Sequence, residues 1–174
     1  MIRTIIVAIV LMTVFGFLIV EARRASHNER VQRARGGIEP QGDPYAIMRV
    51  AYPGAFLAMM IEGVLRGSPA PGAFAAGSVL FILAKALKWW AMLSLGPSWT
   101  FRVIVVPGGE LITSGPYRFL RHPNYMAVVG ELAAVALVSG ARVAGPIATA
   151  AFAVLMLKRI AVENRALGAI LRRS

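Results

Sequence analysis

The stretch "TIIVAIVLMTVFGFLIVEARRASHNERVQRARGG", residues 4–37, opens with the 17 residues Thr4–Val20, none of them charged. At 1.5 Å of rise per residue a membrane span needs about 20 residues, so this run is just adequate. Arg23, Arg24, Arg30, Arg33 and Arg35 follow it directly. That reads as a membrane helix with a basic helical extension, stopped by Gly36-Gly37 and led by Pro40 and Pro44 into a second helix. A cleaved signal peptide is not the expected reading, because five arginines follow the run and no small-x-small cleavage site is visible.

The same pattern recurs along the chain. Tyr45–Leu65 is mostly apolar, although Pro53 and Gly54 interrupt it. Gly67–Ala84 is uncharged, and its pattern runs on through Lys85 and Lys88 to Leu95. His122–Ala141 is apolar apart from its first turn and Glu131, and Val143–Leu157 is apolar and continues as a polar helix. The expectation is an all-α integral membrane protein of about five transmembrane helices. It would form a single membrane domain over residues 1–174, with a short extended cytoplasmic segment and a C-terminal cytoplasmic helix. Composition agrees, at 57% hydrophobic residues and a mean hydropathy of +0.66.

The chain has no cysteine, which excludes disulfides, thiolate catalysis and Cys-ligated metals. His27 and His122 are its two histidines, too few for a usual catalytic zinc or non-haem iron site. Net charge is +11. Nucleic-acid binding is one source of such a charge, but topology accounts for it better. Sixteen of the 19 basic residues fall on one side of the expected spans, with Arg3, Arg66 and Arg142 on the other. The positive-inside rule then sets the N-terminus outside and the C-terminus in the cytoplasm, in the inner membrane of a cell. No nucleic-acid partner is expected.

Residues 99–113, "WTFRVIVVPGGELIT", break the helical pattern. Phe101–Val106 is β-branched, Pro107-Gly108-Gly109 is a turn signal, and Leu111–Thr113 resumes an extended pattern, so a short extended element or hairpin is expected. Its backbone amides could hold a polar ligand, or it could be a plain surface connector. Directly after it, "SGPYRFLRHPNY" packs Tyr117, Arg118, Arg121, His122, Asn124 and Tyr125 into nine residues at the entrance of an apolar helix. Tyr117, Arg121 and Tyr125 share a helix face, and His122 neighbours Tyr125. Pro123 fits a kink or the first turn of the membrane helix. An aromatic belt with snorkelling arginines would explain the tyrosines and arginines, but not His122 and Asn124. Farther on, Arg159 and Glu163 are four apart on the last helix. They form either an exposed helix pair or a site in which Glu163 takes a cation and Arg159 an anionic group.

In order and spacing, residues 85–170 resemble the isoprenylcysteine carboxyl methyltransferase family. "RHPNY" matches its R-H-P-x-Y motif, and "RIAVE" in "KRIAVENRAL" matches its later R-x-x-x-E motif. Residues 1–84 share with it only their apolar helical character. The resemblance implies a small membrane enzyme that uses S-adenosylmethionine at the cytoplasmic face. It would hold the cofactor by Gly109, Glu110, Leu111 and Ile112, by Tyr117, by His122, Pro123, Asn124 and Tyr125, and by Glu163. Arg159 would lie toward the methyl acceptor, whose lipid tail enters from the bilayer. Residues 85–174 would then be the cofactor-binding and catalytic part.

The chain departs from the family at Ala127, Asn164 and Glu131. Glu131 lies nine residues beyond His122, about 13.5 Å along a helix and thus deep in the bilayer. A carboxylate there needs a partner or a role. One reading is a protonated helix–helix hydrogen bond; the other is a catalytic group acting on the acceptor hydroxyl. Glu62, with Arg66 at i+4, reads as a structural pair. The stretch "KWWAMLSLGPSWTFRVIVVPG" is similar to bacterial members that O-methylate long-chain phenols or pyrones. The expected acceptor is therefore an oxygen of a lipophilic small molecule, such as an alkylresorcinol, alkylpyrone or prenylcysteine. Phospholipid N-methylation and a non-enzymatic membrane scaffold are the alternatives.

Overall fold

A computed structural model describes residues 2–109 and 111–171. It contains five helices: α1 (Ile2–Ala34), α2 (Tyr45–Arg66), α3 (Pro71–Leu95), α4 (Pro123–Ser139) and α5 (Ala144–Leu171). Among the described residues, four stretches are long and apolar enough to cross a membrane, Ile5–Ala34, Tyr45–Arg66, Pro71–Ser98 and Ala144–Gly168. The fifth helix, α4, is apolar but has 17 residues, about 25 Å of helix. The chain is an all-α membrane protein, as its apolar runs predict.

The helix ends follow local chemistry. In α1 the Gly36 N–H donates to the Arg33 carbonyl and the Gly37 N–H to that of Gln32, the paired bonds of a Schellman stop. Gly36 adopts φ +81°, which a glycine reaches without steric cost. Pro71 and Pro123 open α3 and α4, where a missing N–H costs nothing. Pro123 is therefore a first-turn residue and not a kink. Pro53 sits inside α2 without ending it.

Lipid does not drive apolar helices together, so association depends on close packing and polar links. Helices α3 and α4 meet through small residues. A Cβ built on Gly77 would lie 2.8 Å from the Ala134 carbonyl oxygen. Ala84, Ala91, Ala127 and Ala134 are all buried. Phe56, Met59, Leu132, Val135, Phe152 and Met156 fill the space among α2, α4 and α5. At the far end Glu62 accepts backbone N–H bonds from Arg142, Val143 and Ala144, at 2.6–3.2 Å, and pairs with Arg66 at 2.7 Å. The Glu62–Arg66 pair is thus also the cap of α5, a role the sequence did not suggest.

One expectation is corrected and one open choice is settled. The basic count assigned Lys85 and Lys88 to a cytoplasmic stretch, but both are buried within α3. Each pairs with Glu21 of α1 at 2.7 Å and with Glu131 of α4, at 3.0 Å for Lys85 and 3.3 Å for Lys88. Tyr52 of α2 donates its hydroxyl to Glu131 at 2.6 Å. The reading of Glu131 as a protonated helix–helix partner gives way to an ion-pair square whose charges cancel. Of the two readings of the segment before the cluster, the short extended element holds, and among the described residues it forms no hairpin. Val105 pairs antiparallel with Ile38 in an isolated bridge, each N–H donating to the other's carbonyl at 2.9 Å. The loop after α1 reaches it first, and Leu111–Thr113 takes no regular structure.

Candidate active site

The non-helical segment between α3 and α4 is anchored to α1. Asn28 donates to the carbonyls of Gly96 and Trp99, and Gln32 donates to that of Pro97. Trp99, 1% exposed, is held against Ala25 and Met92, and its indole N–H donates to the Asn124 side-chain oxygen at 3.1 Å. These bonds fix the start of α4 against the end of α3. Asn124, expected to touch a cofactor, is engaged through its oxygen in this support.

His122 precedes α4, and Tyr125 lies in its first turn. Their rings stack at 5.4 Å with 9° between planes. The Tyr125 hydroxyl donates to Glu163 Oε2 of α5 at 2.8 Å, and His122 Nδ1 lies 3.7 Å from the same oxygen. Tyr117, in the 3-10 turn Gly115–Arg118, has a phenol pushed up by burial, with the Glu163 carboxylate adding to the effect. It is therefore a neutral hydrogen-bond donor at neutral pH. Glu163 remains 31% exposed, so one carboxylate with aromatic neighbours faces outward. Arg159, one turn before it and 7% exposed, places its guanidinium 5.7 Å from the Tyr125 ring centroid. Its Nη2 donates to the Phe101 carbonyl and lies 3.6 Å from Asp43 Oδ2.

The structure thus brings together Tyr117, His122, Tyr125, Arg159 and Glu163, with Pro123 and Asn124 supporting them. Glu131 is deeper, inside the ion-pair square. Gly109 and Leu111 are exposed, Ile112 is half-buried, and the Gly109 N–H closes a turn on the Val106 carbonyl. Glu110 lies outside the described residues. Two apolar clefts, of about 170 and 260 Å³, lie toward the opposite end and are lined by none of the candidate residues. Asp43 and Phe101 escaped sequence reasoning. Asp43 stands 116 residues before Arg159, and "GDPY" signals only a helix start.

The isoprenylcysteine carboxyl methyltransferase (ICMT) family matches residues 77–169, more than half of the chain. The chain belongs to the isoprenylcysteine carboxyl methyltransferase family. It is similar to "Uncharacterized protein YpbQ" of Bacillus subtilis (strain 168), at 33% identity over 144 residues, covering 82% of this chain and 85% of that one. It is also similar to an "Uncharacterized protein" of Haemophilus influenzae, at 22% identity over 148 residues, 84% of this chain and 86% of that relative. No solved structure matches. As an isoprenylcysteine carboxyl methyltransferase family member the protein is a multi-pass membrane protein of a methyltransferase family. The matched span holds the whole aromatic–carboxylate cluster and Arg159; Glu21, Asp43 and Tyr52 lie before it.

Proposed function

We propose that the protein transfers a methyl group from S-adenosylmethionine to an oxygen of a lipophilic small molecule, at the cytoplasmic face of the membrane. The observation that carries this reading is the meeting of His122 and Tyr125 with Glu163, the bonded Tyr125 and Glu163 being 38 residues apart. The donor set fits the cofactor. Its sulfonium and ammonium charges need a carboxylate and aromatic faces, and Glu163 with Tyr125 and His122 supplies both. Tyr117 adds a neutral hydroxyl. The buried Arg159 Nε has no hydrogen-bond partner and can serve an oxygen acceptor.

When bound, S-adenosylmethionine supplies an electrophilic methyl group. Glu163, His122, Tyr125 and Tyr117 would bind and orient it, and by resemblance Gly109, Glu110, Leu111 and Ile112 would contribute to the same cofactor site. Arg159 orients the acceptor oxygen. Alignment of this kind contributes on the order of 7–11 kcal/mol to such a transfer. A carboxylate acceptor needs no base, and a phenol or enol beside a guanidinium ionises more readily. Of its two readings, Glu131 fits a helix tie better than a catalytic group, because both lysines and Tyr52 already occupy it.

Titration calorimetry of S-adenosylmethionine into the purified protein tests the cofactor, with binding expected. Labelled methyl transfer to an alkylresorcinol, an alkylpyrone, a prenylcysteine and phosphatidylethanolamine tests the acceptor. Label in phosphatidylethanolamine alone would replace the oxygen reading by N-methylation. The absence of both binding heat and transferred label would remove the enzymatic reading.

A further inference from the structure

Asp43 is the last acidic residue before α2 and is almost fully buried, at 3% side-chain exposure. Its two oxygens do different things. Oδ1 accepts the Tyr45 N–H at 3.1 Å and starts α2. Oδ2 accepts the Val103 N–H at 2.9 Å and lies 3.6 Å from Arg159 Nη2. Arg159 Nη2 also donates to the carbonyl of Phe101, two residues before Val103. One carboxylate therefore fixes both the guanidinium and the backbone on which the guanidinium rests. With Nη2 held there and the guanidinium 5.7 Å from the Tyr125 ring centroid, the direction of the Nε–H beside it on the same edge is set. The Nε–H itself is a buried donor without a hydrogen-bond partner. An unpaired buried donor is costly, and an incoming acceptor oxygen would relieve that cost.

We propose that Asp43 is the positioning residue for Arg159, holding its guanidinium so that the Nε–H meets the acceptor oxygen. The inference rests on the proposed function for its reaction, and it narrows the acceptor class. A fixed cation presenting an N–H donor favours a carboxylate, enolate or phenolate oxygen and disfavours an ammonium or amine. Asp43 touches neither substrate nor cofactor in this scheme. Its effect passes through Arg159.

The test uses the full chain in detergent, with variants Asp43→Asn, Arg159→Lys and the double variant. An alkylresorcinol and S-farnesyl-N-acetylcysteine serve as acceptor probes. Asp43→Asn is expected to lower kcat roughly 100-fold, the scale of a misplacement of about 1 Å, with S-adenosylmethionine affinity by calorimetry unchanged. In the Arg159→Lys background the same change should add little further loss. Equal losses in both backgrounds, or a parallel loss of cofactor affinity, would reduce Asp43 to a structural cap and overturn the proposal. A second readout does not depend on turnover. In 15N-arginine-labelled protein the Arg159 Nε–H signal, assigned by its loss in Arg159→Lys, should be sharp and slow to exchange, and should broaden in Asp43→Asn. An unaltered signal would overturn the positioning role even if neither probe is methylated. Methylation failure in the wild type, by contrast, counts against the proposed function itself.

Discussion

At Glu163 a phenol and an imidazole meet one carboxylate. A glutamate on the last helix of a basic protein would otherwise be a solvated charge. Here Tyr125 donates to it at 2.8 Å and it still keeps a 31% exposed face. Glu163→Gln preserves size and hydrogen bonding and removes only the charge. Charge-assisted bonds are worth roughly 1.5–3 kcal/mol, so affinity for S-adenosylmethionine should fall about 10- to 100-fold by calorimetry. The raised Tyr117 phenol stays protonated through neutral pH, so binding should show no titration step from it there. Of this site, the motif residues were legible in the sequence because two short patterns carry them. Asp43 and Phe101 were not, since a lone Asp before Pro and a backbone carbonyl leave no pattern in composition or spacing.

Among elements, two charged assemblies hold helices and loops together. In the square of Glu21, Lys85, Lys88 and Glu131, all four side chains are at most 8% exposed. Removing one carboxylate leaves a buried lysine charge unbalanced, a loss of about 3–5 kcal/mol. Glu131→Gln should therefore lower thermal stability in detergent sharply. Replacing Glu131 and Lys88 together by Gln and Met should recover part of that loss, which a purely catalytic Glu131 would not show. The second assembly is Glu39 with Arg33 and Arg102, each at 2.6 Å, which ties the post-α1 loop to the extended segment. Burial alone would push Glu39 up, but the hydrogen bonds from Arg102 and Arg33 outweigh it and hold the carboxyl below its usual 4.5. A depressed folded-state pKa means the stabilisation is full above pH 4.5 and fades as acid carries the pH down through the lowered value. Melting curves of wild type and Glu39→Gln should differ at neutral pH and converge below that point. Convergence already at pH 6 would contradict the assignment.

For the whole molecule, one end gathers the loop after α1, the segment 96–122 and the Arg159–Glu163 turn, and the other gathers Glu62, Arg66 and the α4–α5 connection. The basic residues outside the ion-pair square still crowd the first end. The orientation we propose therefore places that end in the cytoplasm. The chain contains no cysteine, so single introduced cysteines report without background. Gln41→Cys should react with a membrane-impermeant maleimide only after cells are opened, and Ser68→Cys should react in intact cells. The reverse pattern would invert the topology and move the active site to the outer face.

The number and type of the helices came from the sequence alone. Uncharged runs of about 17–20 residues have one stable form in a bilayer, in which every backbone polar group bonds within its own helix. The cluster near His122 and the pair at Arg159 and Glu163 were equally visible, because dense polar groups against an apolar run need a reason that local spacing can express. Pairing was decided only by the tertiary structure. Whether Lys85 and Lys88 face water or Glu21, whether Val105 bonds to Ile38 or to its own hairpin, and which oxygen holds Arg159 all depend on segments 58 to 116 residues apart in the chain. Such contacts form when helices pack through small residues such as Gly77 and Ala134. Their energies belong to the pair and to the dry space around it, not to either residue alone.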